Sequence, residues 1–155
     1  MTTFERILVA TDFSAASQPA LDEAAMLARE GGTTLLILHA YCVHWTSSVR
    51  GASGADYAEF KHQVRAGREK QMDEALAHAR SRGASARGLL REGLPDDQIL
   101  AAAEAEGADL IVMGTHGRRG FSRMLLGSVA AGVVGRARCP VMTLRGEGVA
   151  EASRA

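Results

Sequence analysis

Lys61 and Lys70 are the only lysines in the 155 residues, and Cys42 and Cys139 the only cysteines. A phosphate site that depends on lysine must use one of that pair or do without. Two cysteines so far apart make no disulfide framework and read as small, reduced, buried residues. Neither sign of charge is in excess: 18 basic and 18 acidic residues cancel. No overall field therefore draws the chain toward nucleic acid or an acidic membrane. The longest apolar runs, near Leu35–Leu38 and Leu110–Met113, fall far short of the roughly 20 residues a membrane-spanning helix needs. The opening Met1-Thr-Thr-Phe-Glu-Arg6 lacks the basic stretch and apolar core of a secretion signal. The expectation is a cytoplasmic protein without nucleic-acid or membrane partners.

What is present suits one globular domain. A chain with 46% hydrophobic and 23% charged residues can bury an ordinary core without staples. The expected domain covers residues 1–145, with a frayed, flexible tail over residues 146–155. Ile7–Ala10 is a short β-branched run, read as a buried strand ending at Thr11-Asp12. Ser14, Ser17 and Pro19 signal a helix start, the serines as caps and the proline in the first turn. Leu21, Ala24, Ala25 and Ala28 keep helical spacing until Gly31-Gly32 stops it. Thr33–Leu38 reads as the second strand. Cys42–Asp56, with Trp45, three serines and no period, reads as a long mobile loop. A helix follows over about Tyr57–Ser81, with Phe60, Val64, Leu76 and Ala79 on one side. Ala86–Arg91 is a weak third strand, and Pro95-Asp96-Asp97 opens the next helix. Asp109–Met113 is the fourth strand, a helix runs from Ser128 to about Arg136, and Pro140–Leu144 is the last strand.

Strands alternating with helices imply an α/β fold: a five-stranded parallel sheet with helices on both faces, joined by right-handed crossovers. In such sheets ligands sit beyond the carboxyl ends of the strands, at the switch point. The ends near Thr11-Asp12, Ala40-Tyr41 and Gly114 share that rim.

The stretch that carries chemistry runs from Met113 to Val129. Gly114 and Gly117 follow a strand directly, where glycine permits positive φ and close approach of a ligand to bare backbone. Gly127-Ser128 stands where the next helix begins, and a helix start offers unpaired amides and partial positive charge to an anion. Arg118, Arg119 and Arg123 raise the local potential or face solvent; the sequence leaves both open. No GxxxxGK[ST] occurs, which excludes a P-loop, and no GxGxxG follows the first strand, which argues against a nicotinamide or flavin enzyme. His39 reads as a core or strand-end residue. His44, His62 and His78 read as exposed, without metal-binding spacing.

The spacing G-x2-G-x9-G-[ST], met by Gly114, Gly117, Gly127 and Ser128, resembles the ATP-binding branch of the universal stress protein family. The resemblance extends to Ile7-Leu-Val-Ala-Thr-Asp12, Leu36-Ile-Leu-His-Ala40, Gly93-Leu-Pro95, Asp109-Leu-Ile-Val-Met-Gly114 and Cys139-Pro-Val-Met142. It implies an adenine nucleotide alpha hydrolase-like, Rossmann-like fold with strand order 3-2-1-4-5, and ATP as ligand. By that resemblance Asp12 would contact the adenosine, with Thr11 beside it. The Ala40 backbone would pair with the adenine edge, and Met113 would line the base or ribose pocket. Gly114, His116 and Gly117 would surround ribose and phosphates, and Gly127, Ser128 and Val129 would complete the phosphate cradle. A divalent metal, Mg or Mn, would bridge the phosphates, and a homodimer would form through Pro140–Leu144. The role implied is regulatory, in a stress response, toward an unknown protein partner.

Two other readings stay open. One is a weak ATPase or nucleotide hydrolase on the same site, although Ser128 has no evident histidine–acid relay to make it a nucleophile and no catalytic residue stands out. The other is a nucleotide-free dimeric interaction module. A phosphoacceptor receiver domain ranks low. Strand one ends in the single acid Asp12, strand three ends in Arg91-Glu92-Gly93, and no lysine follows strand five.

Overall fold

The computed structural model describes residues 3–44, 53–116 and 126–146. Gly117, Arg118, Arg119, Arg123, Trp45 and the tail from residue 147 onward lie outside them. The elements are β1 (Arg6–Ala10), α1 (Gln18–Gly31), β2 (Thr34–Tyr41), α2 (Gly54–Ser81), β3 (Ser85–Glu92), α3 (Pro95–Glu106), β4 (Leu110–Gly114), α4 (Ser128–Arg136) and β5 (Val141–Leu144). All neighbouring strands run parallel, in the order β3-β2-β1-β4-β5. The chain builds outward from β1 to β3, then crosses to the other side for β4 and β5. The direction of winding therefore reverses between β1 and β4, the switch point of an open α/β sheet.

Alternation along each strand feeds two cores. Ile7, Val9, Leu35, Ile37, Leu110 and Val112 face α1 and α2, where Ala20, Ala24, Ala28, Met72, Ala75 and Ala79 meet them. Leu8, Leu36, Leu38, Ile111 and Met113 face α3 and α4, packing on Ile99, Ala102, Ala130 and Val133. With both faces covered, each central strand carries an unbroken apolar run, Ile7–Ala10, Leu35–Leu38 and Leu110–Met113, as buried parallel strands require. The small residues along α1 let its backbone come close to the sheet. Within α2 the buried anchors are Met72, Ala75 and Ala79, while Phe60 and Val64 are only half-buried.

Several local readings change. Ser14 and Ser17 make no side-chain cap; the Ser17 hydroxyl instead bonds the Ser14 carbonyl and sits 2.9 Å from the Thr11 hydroxyl. Residues 15–17 form a short 3-10 turn before α1. Pro19 does occupy the first turn of α1, and Gly32, at φ +64°, supplies its left-handed cap. α2 begins earlier than the sequence suggests, at Gly54. Ser53 and Asp56 form a capping box, each side chain bonding the other's backbone amide, so Asp56 belongs to the first turn of α2. Its carboxyl sits below the ordinary range because the Ser53 backbone amide and hydroxyl donate to the charged form.

His78 is not merely exposed: it tethers α2 to α1. Its Nε2–H donates to Asp22 Oδ1 at 2.7 Å, and the Arg82 guanidinium lies 3.2 Å from the same oxygen. Partial burial opposes ionisation of Asp22. The bonds from His78 and Gln18, with the Arg82 charge, outweigh it and hold the carboxyl below its ordinary value.

Gly88 sets how closely β3 and α2 approach. A Cβ there would fall 2.8 Å from Met72 Cγ and 2.9 Å from its sulfur. Gly88→Val is expected to cost about 1–3 kcal/mol through overpacking, seen as a lower urea midpoint at unchanged slope. Combined with Met72→Ala, it should destabilise by less than the two changes summed, because the second removes the atoms the first collides with.

Candidate functional site

A cavity of about 340 Å³ opens at the carboxyl ends of β1, β2 and β4, on the sheet face covered by α3 and α4. Thr11, Asp12, Ala40, Met113, Gly114, His116, Gly127, Ser128 and Val129 all line it. The structure thus brings together nine of the ten residues singled out from the sequence; Gly117 lies outside the described residues. Ala10, Ser17, Leu38, Pro95, Ile99, Thr115 and Ala130 also line it and were missed. Period-two alternation would have found Ala10 and Leu38, which share a face with Ala40 and Met113. Pro95 and Ile99 come from α3, and only the tertiary packing brings that helix to the rim.

The wall at β1 is built by local hydrogen bonds. Asp12 Oδ1 accepts from the Ser14 amide at 2.9 Å and from the Ser14 hydroxyl, which folds the chain back after the strand. The Phe13 amide donates to Thr11 Oγ1 at 3.0 Å. Phe13 itself sits at φ +62°, a left-handed conformation uncommon outside glycine. Its ring lies 4.3 Å from that of His39, and the His39 ring stacks near Tyr41 at 6.2 Å.

The opposite wall is the start of α4. Gly127 is its N-cap, and its carbonyl accepts the Ala131 amide at 2.8 Å, the first bond of the helix. A helix leaves its first amides without partners inside the helix, and here Ser128, Val129 and Ala130 carry them beside the cavity. Gly127 adds no cap side chain to cover them. Neither Gly114 nor Gly127 has positive φ. Gly127 is required by contact: its amide donates to the Thr115 carbonyl at 2.7 Å, and a Cβ would stand 2.8 Å from that same oxygen. His116 follows, its Nδ1 3.1 Å from Thr115 Oγ1 and its Nε2 buried without a partner among the described residues.

Two helices must hold their spacing for this cavity to persist. Arg136, at the end of α4, reaches Asp96 at 2.7 Å and Asp97 at 2.9 Å in the first turn of α3. Gly132 makes room for that junction, since a Cβ there would lie 2.7 Å from Asp96 Oδ2. The acids sit at a helix N-terminus and the arginine at a helix C-terminus, the arrangement both helix dipoles favour.

Chemically, the cavity offers apolar side chains from Ala10, Leu38, Ile99 and Met113, one carboxylate from Asp12, and a helix start bearing a hydroxyl at Ser128. Its volume lies at the lower end of small-molecule pockets, roughly 300–1,000 Å³. Among the described residues no group of three or more His, Cys, Asp or Glu could hold a metal, and no helix is long and apolar enough to cross a membrane.

Residues 3–145 match the model of the universal stress protein family. The universal stress protein YxiE of Bacillus subtilis is 35% identical over 147 residues, covering 92% of this chain and 99% of its own. The solved structure of protein MJ0577 superposes with a TM-score of 0.79 at 26% identity, covering 92% of this chain and 96% of that one. A universal stress protein solved in complex with cAMP gives 0.73 at 26% identity, covering 94% and 100%. A family model matched over nearly the whole chain places this chain in the universal stress protein family.

Proposed function

We propose that this protein binds an adenine nucleotide, ATP foremost, in the switch-point cavity, and that it acts as a regulatory protein. The observation that carries the reading is the pairing of an apolar slot at the ends of β1, β2 and β4 with the open amides of α4 on the opposite wall. A base and ribose fit the first, and phosphates suit the second. The similar protein solved with cAMP supports an adenine nucleotide as the class of ligand. In this reading Asp12, Thr11, Ala40 and Met113 contact the nucleoside. Gly114, His116, Gly117, Gly127, Ser128 and Val129 surround the phosphates. Mg or Mn would be held chiefly by the phosphates, with Asp12 the one acid among the described lining residues.

The reading continues to a homodimer. β5 is an edge strand of four residues, each only partly covered, and such an edge is a ready partner for a second copy. A cytoplasmic setting goes with it.

The test is the nucleotide content of the purified protein, released by denaturation and resolved by anion exchange. Near-stoichiometric ATP is the expected result. ADP or AMP would move the preference to another adenylate, and an empty protein that also fails to bind added ATP would overturn the proposal.

A further inference from the structure

We infer that His39 is a positioning residue whose bond to Thr11 keeps the backbone edge of Ala40 open toward the cavity, an inference that rests on the nucleotide reading above. The argument begins with the ladder between β1 and β2. The Leu38 carbonyl accepts the Thr11 amide at 2.9 Å, on the β1 side of β2. The Tyr41 carbonyl accepts the Gly93 amide at 2.9 Å, on the β3 side. Backbone groups of successive strand residues alternate between neighbours. Leu38 and Ala40 therefore both face β1, and His39 and Tyr41 face β3.

The next rung of a parallel ladder would join the Ala40 amide to the Thr11 carbonyl. No such rung occurs among the described residues. The His39 ring takes that carbonyl instead, its Nδ1 2.8 Å from the oxygen. A carbonyl only accepts, so Nδ1 carries the proton and donates. His39 is 5% exposed, and its ring lies between Phe13, tilted at 39° with centroids 4.3 Å apart, and Tyr41, stacked at 6.2 Å. The ladder thus ends one rung early. The Ala40 N–H and C=O are left facing the gap beyond β1, in the cavity wall. A donor and an acceptor on one residue match the edge of a base that presents an amino group beside a ring nitrogen.

An aliphatic residue at this core position would fill the space without taking the Thr11 carbonyl, which would then be left to the Ala40 amide. His39→Leu should let that rung close, whereas His39→Asn keeps an N–H near the position of Nδ1. Two measurements test this. In nucleotide-free wild-type protein the Ala40 amide should exchange with deuterium at least about tenfold faster than the Leu38 carbonyl's partner, the Thr11 amide, and His39→Leu should slow it toward that rate. The affinity for ATP should fall about tenfold or more in His39→Leu, as expected for losing hydrogen bonds to the base, and recover most of that loss in His39→Asn.

Equal Ala40 exchange in wild type and His39→Leu, or an unchanged ATP affinity in His39→Leu, overturns the inference. If His39→Leu does not fold, the wild-type comparison decides, and an Ala40 amide as slow as that of Thr11 overturns it. Failure of the wild type to bind ATP would overturn the nucleotide reading, and the exchange comparison, made without nucleotide, would still report whether His39 holds that edge open.

Discussion

Gly127→Val is expected to lower the affinity for ATP at least about a hundredfold, roughly 2.7 kcal/mol, while the protein still unfolds cooperatively and keeps its far-ultraviolet spectrum. The reason is steric and local. A Cβ at this position would stand 2.8 Å from the Thr115 carbonyl oxygen and 3.5 Å from His116 Cα. Both are backbone atoms that cannot swing aside as a side-chain tip can. Either the Gly127 amide gives up its 2.7 Å bond to Thr115, or the first turn of α4 moves away from β4. Both outcomes misplace the amides of Ser128 and Val129 proposed to face phosphate. Isothermal titration with ATP checks the result. Gly135→Ala is the control: it lies in the same helix, and a Cβ there meets nothing within 4 Å, so affinity should not change. Binding that survives Gly127→Val would place the nucleotide elsewhere.

Leu36→Ala is expected to destabilise the fold by about 2–5 kcal/mol, lowering the melting temperature by roughly 4–20 °C for a chain of this size. Leu36 lies within β2, is 1% exposed and belongs to the core under α3 and α4. β2 is hydrogen-bonded to β1 on one side and β3 on the other, so the backbone has little freedom to collapse into the space left behind. Urea unfolding should show a lower midpoint at unchanged slope. A loss well under 1 kcal/mol would mean that the core relaxes around the missing atoms.

Much of the fold was legible because its signals are local. Ile7–Ala10 and Leu110–Met113 are short, unbroken apolar runs, which buried parallel strands must be. Gly32 and Gly107 end their helices in the left-handed conformation that glycine adopts without penalty. The errors arose where one local signal imitated another. Ser14 and Ser17 look like helix caps by composition. In the folded chain their hydroxyls are taken by Asp12 and Thr11 at the end of β1. Residues 53–56 look like loop because glycine, serine and aspartate favour turns, yet the same serine and aspartate at the right spacing make a capping box. His78 carries a residue-type prior for exposure, and Asp22, 56 positions away in sequence, supplies its partner.

The candidate site divides the same way. Thr11, Asp12, Ala40, Gly114 and Ser128 could be placed on one rim from the sequence, because in a parallel α/β sheet every strand ends on the same side and every helix starts from there. That consequence follows from chain direction alone and needs no coordinates. The sequence also determined which strands are buried on both faces, since only an unbroken apolar run survives there. What the tertiary structure alone decided is where segments distant in sequence come to touch. α3 closes the cavity with Pro95 and Ile99, Gly127 is required because the Thr115 carbonyl presses against it, and His39 meets the Thr11 carbonyl one rung past the end of β1. Such contacts depend on the register of neighbouring strands and the tilt of helices. Those are set by the packing of all the side chains together and by no single stretch of the chain.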